Sequence, residues 1–345
     1  MTVEVWATLA KYVAWAVALL GLLAPVMVWV ERRGMALIQD RRGPNRVGPF
    51  GLIQPLADVL KFIFKEEIVP TAADRTMYLL GPILALVPAL TTFVVIPMAP
   101  DLVIGGKRIP MVVVDGEVGV LLFLSLSSLG VYSLVCSGYG SNNKYSQLGA
   151  IRASAQLISY ELALAMALLA AILPAASLPG GSFRLADVVA YQQAHGWNIL
   201  WQFPGFLVFL IASFAETNRL PFDLPEAESE LVSGYNTEYG SMKWALFYSA
   251  EYVNMASLGA LMSTLYFGGW SLPGLNLPNN WLGVAAGGAI LGAKVLFWMA
   301  FFVWVRFTFP RFRYDQLMRL GWKVLLPIAL VTLLGVAVLV VAKVY

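Results

Sequence analysis

Apolar runs long enough to cross a bilayer recur along the whole chain, at about residues 5–30, 77–99, 118–139, 156–174, 197–216, 244–270, 281–305 and 324–342. A hydrocarbon layer about 30 Å thick needs roughly 20 such residues in a helix. Inside lipid the backbone has no water to bond, so each run is expected to be helical. The pattern predicts an all-α polytopic membrane protein with eight transmembrane helices, a single membrane domain over residues 1–345. Charged residues make up only 12% of the chain, against roughly 25% in an average soluble domain. Tryptophans at several run ends suit an interfacial aromatic belt. Pro25, Pro82 and Pro88 lie inside runs and predict kinks. The first run follows Glu4 instead of a basic segment and shows no clear cleavage site, so its helix is expected to be retained.

Lysine and arginine set the expected orientation. The loops at about 31–76, 140–155, 217–243 and 306–323 hold 8, 2, 2 and 5 of them, and the intervening loops hold 2, 1 and 0. By the positive-inside rule the first set is cytoplasmic and both termini face the periplasm, in a bacterial inner membrane. Orientation also accounts for the net charge of +3 without any nucleic-acid partner. With one cysteine, Cys136, and one histidine, His195, the chain alone cannot build a disulfide framework, a four-cysteine iron–sulfur cluster, a bis-histidine haem or a Cys/His zinc site. Cys136 reads as a small apolar packing residue and His195 as a surface residue in a loop. No internal repeat supports a transporter of duplicated halves.

The first loop is unusual. Arg32, Arg33, Arg41, Arg42 and Arg46 are crowded into its start, and Gly43-Pro44 and Gly48-Pro49 then turn the chain. Leu52, Leu56, Val59, Leu60 and Ile63 follow at helical spacing, with Gln54, Asp58, Lys61 and Lys65 on another face. This predicts an amphipathic helix lying in the membrane interface. Two roles stay open: an ordinary basic loop, or a polar-lined entrance through which something amphiphilic leaves the lipid.

Four charged positions fall within or at the ends of runs: Glu161, Glu216, Glu251 and Lys294. A charge at the bilayer centre costs ~2.5–3.5 kcal/mol, so each needs a local reason. Glu161 and Glu251 are expected roughly 7 and 10 Å below the cytoplasmic surface at 1.5 Å per residue. Glu216 closes its run on the same side, Lys294 comes nearer the middle, and Lys11 is expected to snorkel to the surface. Tyr248 and Asn254 flank Glu251 at i−3 and i+3. The carboxylates could pair structurally with Lys294 or arginines, or they could form a proton or ion path. Asp223, Glu226, Glu228, Glu230 and Glu238 fill the loop between Glu216 and Glu251, with Arg219 and Lys243 as its only bases. No EF-hand spacing is present, so continuity with Glu216 and Glu251 favours a proton funnel over a calcium site.

Four blocks together resemble a known family: residues 31–67, residues 145–161 (YSQLGAIRASAQLISYE), residues 215–239 (AETNRLPFDLPEAESELVSGYNTEY) and residues 310–318 (PRFRYDQLM). The chain is similar to the NuoH-type, quinone-site membrane subunits of proton-pumping NADH:quinone oxidoreductase, respiratory complex I. The segments around 100–116 and 176–200 carry no motif. The resemblance implies a subunit of an NADH:ubiquinone reductase that binds no redox cofactor itself, with NADH, FMN and iron–sulfur clusters held by partner subunits. Its substrate would be ubiquinone, entering from the bilayer. Its partners would be peripheral iron–sulfur and quinone-headgroup subunits on the cytoplasmic side, together with antiporter-like and small membrane subunits. By motif match, Arg32, Arg41, Arg46, Asp58, Lys61, Arg219 and Phe222 would border the quinone tunnel. Glu161, Glu216, Asp223, Glu226, Glu228, Glu230, Glu251 and Lys294 would form the proton path. Arg306, Arg311, Arg313 and Asp315 would serve docking or the tunnel. The equivalent membrane component of a related membrane-bound hydrogenase is the main alternative, and a proton-coupled transporter the other.

Overall fold

The computed structural model describes residues 3–104, 107–178, 181–224, 228–275 and 277–342. The chain is mostly helical. In order, the helices are α1 (Val3–Ala18), α2 (Ala24–Ile38), α3 (Gln54–Phe64), α4 (Arg75–Thr92), α5 (Gly119–Gly140), α6 (Lys144–Ala176), α7 (Leu185–His195), α8 (Phe203–Glu216), α9 (Glu228–Leu231), α10 (Ser241–Tyr266), α11 (Trp281–Thr308), α12 (Tyr314–Leu320) and α13 (Leu326–Val341). Between α4 and α5 lies one antiparallel hairpin, β1 (Leu102–Ile104) with β2 (Lys107–Ile109), in which Leu102 faces Ile109.

Six helical stretches are long and apolar enough to cross a membrane: Ala10–Ile38, Arg75–Val95, Gly119–Gly140, Lys144–Ala176, Trp281–Thr308 and Tyr314–Val341. The hydropathy pattern predicts eight. The two that fall short do so for different reasons. Residues 197–202 are a 3-10 turn and coil, which leaves α8 with 14 residues, or about 21 Å. Helix α10 has ample length at 26 residues but carries Lys243, Glu251, Asn254 and several hydroxyls.

Helix edges also move relative to the apolar runs. Helix α2 continues through Glu31 to Ile38, α6 begins at Lys144, and α11 reaches Thr308, so three expected loops are partly helix. At 33 residues, α6 is about 50 Å long and exceeds the bilayer core. Pro25 lacks an N–H and crowds the carbonyl four residues back, and the preceding turn is accordingly π-helical over Leu19–Leu23. Helix α7 fills a segment expected to be loop, and His195 closes it with its ring stacked on Tyr191 at 4.5 Å. Lys11 is half-buried and donates to the carbonyls of Pro110 and Val112 at 3.0 and 3.4 Å, rather than reaching open water.

Helix α6 is the most enclosed of the six apolar spans. Ala163, Ala167, Leu168, Ala171 and Ile172 on it are all fully buried, and the alanines among them let neighbouring backbones approach closely. The outward faces of α1 and α13 expose Val17, Leu22, Val331 and Val338, which suits lipid as solvent. One close approach to α6 is made by backbone. A Cβ at Gly149 would lie 2.7 Å from the Gly234 Cα, and backbone cannot swing aside. Gly149→Val is expected to cost about 1–3 kcal/mol by overpacking, read as a lowered melting temperature. An unchanged melt would contradict the close approach.

Candidate functional site

The site begins where α8 ends. Arg219 follows that helix by three residues, is 3% exposed, and reaches two carboxylates. Its guanidinium donates to both oxygens of Glu31 at 3.2 Å and pairs with Glu251 at 3.1 Å. It also lies over the rings of Tyr252 and Tyr248, at 4.8 and 5.6 Å. Glu31 further accepts from Arg306 and from the Tyr252 hydroxyl. Two arginines and two glutamates from α2, α10, α11 and the loop after α8 thus form a charge-balanced cluster. Burial alone would lower the pKa of Arg219, but Glu31 and then Glu251 hold it well above the ordinary arginine value, so it stays charged. Beside this cluster, Asp223 pairs with Arg311 at 3.1 Å.

Two cavities meet at this cluster. A cleft of about 180 Å³ lies between α2, α3 and α10, lined by Pro25, Val28, Arg32, Asp58, Phe62, Trp244, Tyr248 and Tyr252 among others. Arg32 and Asp58 pair across it at 2.6 Å. A larger chamber of about 820 Å³ is lined by Leu220, Asp223, Ser233, Asn236, Trp244, Tyr248, Glu251, Arg306, Phe307 and Arg311. Trp244 and Tyr248 border both spaces, and their rings stack at 5.0 Å. A mostly apolar cleft and a more polar chamber therefore lie on either side of one aromatic pair.

The carboxylates continue from the chamber in the other direction. Glu251 and Glu216 both border a small cavity of about 60 Å³, with Ser127, Ser133, Asn218, Asn254 and Ser257. By size it has room for about four waters. Glu216 Oε2 is buried without a hydrogen-bond donor among the described residues. Glu161 lies within electrostatic reach of Glu216 and accepts from the Ser128 hydroxyl. Glu161, Glu216 and Glu251 thus form a connected series that ends on Arg219.

Other expected site residues lie elsewhere. Lys294 donates to the carbonyls of Phe267, Gly269 and Ser271 at 2.7, 2.7 and 2.8 Å. It caps the far end of α10, about 24 Å along the axis from Glu251, so it is not a neighbour of the carboxylates. Lys294→Met should cost about 2 kcal/mol through three lost charge-assisted bonds, seen as a lowered melting temperature. Loss of pumping with unchanged stability would instead return Lys294 to a proton path. Phe222 is buried between Tyr160 and Phe312 at 5.3 and 5.5 Å, as part of the core rather than a cavity wall. Glu230 pairs with Arg152 at the surface, and Arg313 pairs with Asp315. Arg41, Arg46 and Lys61 are exposed. Glu226 lies outside the described residues, and of Glu228 only the backbone is described.

Glu31, Tyr252 and the Trp244–Tyr248 stack are site features that the sequence alone does not single out. For Glu31 a signal exists. It is an acid at the end of an apolar run in a chain rich in arginine, and it escapes notice because the run closes at Val30, one residue before it.

A family model described as NADH dehydrogenase matches residues 10–337. NADH-quinone oxidoreductase subunit 8 of Thermus thermophilus is 48% identical over 334 residues, covering 94% of this chain and 87% of the relative. An NADH-quinone oxidoreductase subunit of Geobacter metallireducens is 49% identical over 312 residues, 90% of each chain. The corresponding NADH-quinone oxidoreductase subunit of Deinococcus radiodurans is 49% identical over 342 residues, covering 96% of this chain and 82% of the relative. The similarity spans all the elements that build the cluster and its cavities, and the chain belongs to the NADH dehydrogenase family.

Proposed function

We propose that the chain is the quinone-hosting membrane subunit of a bacterial proton-pumping NADH:quinone oxidoreductase. In this reading it crosses the inner membrane eight times: α8 and α10 join the six apolar spans, the termini are periplasmic, and α3 lies in the cytoplasmic interface. One observation carries the proposal. The cleft and the chamber lie against the same pair of residues, Trp244 and Tyr248, and in this reading a lipid-borne molecule passes that pair on its way from between α2 and α3 to Glu251, Arg306 and Arg311. Arg32 and Asp58 form the polar lip of that way, and the exposed Arg41, Arg46 and Lys61 stand outside it. Arg311, Arg313 and Asp315 belong to a surface on which peripheral subunits dock.

The chemistry asked of this chain is positional. Reduction of a quinone to a quinol takes two electrons and two protons, and the electrons come from iron–sulfur clusters in partner subunits that also hold FMN and receive NADH. A headgroup near the chamber would change the local charge at each turnover. Glu251, Glu216 and Glu161 would answer that change together, as the start of a proton path. Arg219 and Arg306 hold Glu31 and Glu251 in place, which keeps the end of that set beside the chamber.

Affinity purification of the chain under mild detergent tests the proposal. It should bring down iron–sulfur subunits and NADH-driven ubiquinone reduction. A single-chain particle would contradict it, as would a complex that oxidises hydrogen and ignores quinone, the mark of a hydrogenase-type assembly.

A further inference from the structure

Immediately after α2, the first loop folds over a fourth cavity, which adjoins the cleft at Arg32. It measures about 410 Å³, and Arg32, Arg41, Arg42 and Gln54 are among the residues that line it. Between residues 32 and 46 the chain carries five arginines against one acid, Asp40. Of the three lining arginines, only Arg32 makes an ion pair among the described residues, with Asp58. Arg41 donates to the Gln39 side chain at 2.7 Å, and Arg42 is exposed at the mouth of the loop.

Two neighbours suit a position for this cavity at the membrane interface. Trp29, one turn before the arginines, donates to the Phe50 carbonyl at 3.0 Å, and Arg33 lies over both aromatic rings at 5.6 Å. Such an aromatic and arginine pairing is typical of the headgroup layer. Helix α3, which starts at the cavity wall with Gln54, exposes Leu56, Leu60 and Ile63 along one side, the side an interfacial helix presents to acyl chains.

We propose that the arginine cavity binds the phosphate of an anionic phospholipid headgroup, with the acyl chains lying along the apolar side of α3. Guanidinium groups are matched to phosphate in both charge and geometry, and clusters of basic residues next to a membrane helix attract anionic lipid at about one kcal/mol per residue, or about fivefold. Polar lining and apolar flank meet here at one level, which a lipid satisfies and a free anion only half satisfies. The proposal rests on the interfacial placement of α3; its cavity shares Arg32 with the cleft, but Arg41 and Arg42 line this cavity and not the cleft.

The test uses the assembled complex in nanodiscs of phosphatidylcholine with a minor fraction of a photoactivatable phosphatidylglycerol. Label should fall within residues 41–56, be competed by phosphatidylglycerol but not by phosphatidylcholine, and weaken as salt is raised. Arg42→Gln should lower that labelling about fivefold, with Arg42→Lys retaining most of it. Equal competition by phosphatidylcholine would overturn the proposal, as would label confined to other segments or full displacement by inorganic phosphate at matched concentration. So would a zero-length cross-link from this loop to carboxylates of a neighbouring protein in place of lipid label. Because the competition arms use the wild-type complex, they decide the matter even if the variants fail to assemble. Loss of quinone reduction with lipid labelling intact would count against the quinone reading alone.

Discussion

Replacing Arg219 with methionine should destabilise the protein by about 3–5 kcal/mol, because it leaves buried carboxylates without their counter-charge. Arg219 pairs with both Glu31 and Glu251, and the single charge of Arg306 cannot balance the two. Arg219→Lys should fall between, since a lysine keeps the charge but lacks the planar fork that meets Glu31 with one nitrogen and Glu251 with the other. The loss should also be strongly non-additive. In a cycle with Glu31→Gln, removing the acid relieves much of the penalty, so the coupling should far exceed the ~0.3–0.5 kcal/mol seen between independent sites. Thermal unfolding of the detergent-solubilised protein measures all four corners of that cycle. Additive single losses would show that the cluster is not one electrostatic unit.

Glu216→Gln is expected to lower NADH-driven quinone reduction and its coupled proton movement by on the order of a hundredfold, the low side of what a lost proton-transfer group costs. The change keeps the size of the side chain and removes only the exchangeable proton, so assembly should survive. Glu216 makes no ion pair among the described residues, which makes it the cleaner of two tests. Glu251→Gln should show a similar catalytic loss together with some destabilisation, because Glu251 also balances Arg219. Wild-type turnover and pumping in both variants would remove these residues from the mechanism.

Much of the membrane architecture is legible in the sequence because lipid permits so few backbone solutions. The six apolar spans and the helix at 54–64 follow from hydropathy and spacing. The edges do not follow. An apolar run ends where side chains become polar, but backbone hydrogen bonds carry the helix on, as through Glu31 in α2 and from Lys144 in α6. That difference hides Glu31, the centre of the cluster. Depth reads more easily than neighbourhood. Hydropathy places Glu161, Glu216 and Glu251 toward one side of the membrane, and tertiary packing brings them into one series. Lys294 reads as nearer the middle, and α11 delivers it to the opposite end of α10. Nothing in local spacing distinguishes those two outcomes, because each depends on which helices pack together. The α7 helix and the β1–β2 hairpin carry no periodicity that marks them.

A photoreactive ubiquinone analogue, cross-linked in the intact membrane and mapped by peptide sequencing, tests the central claim most directly. The account predicts label on α3 near Asp58 and Phe62 and on α10 near Trp244 and Tyr248, all lost when unlabelled ubiquinone is added. Label on the outward faces of α1 or α13 that excess ubiquinone does not displace would contradict it.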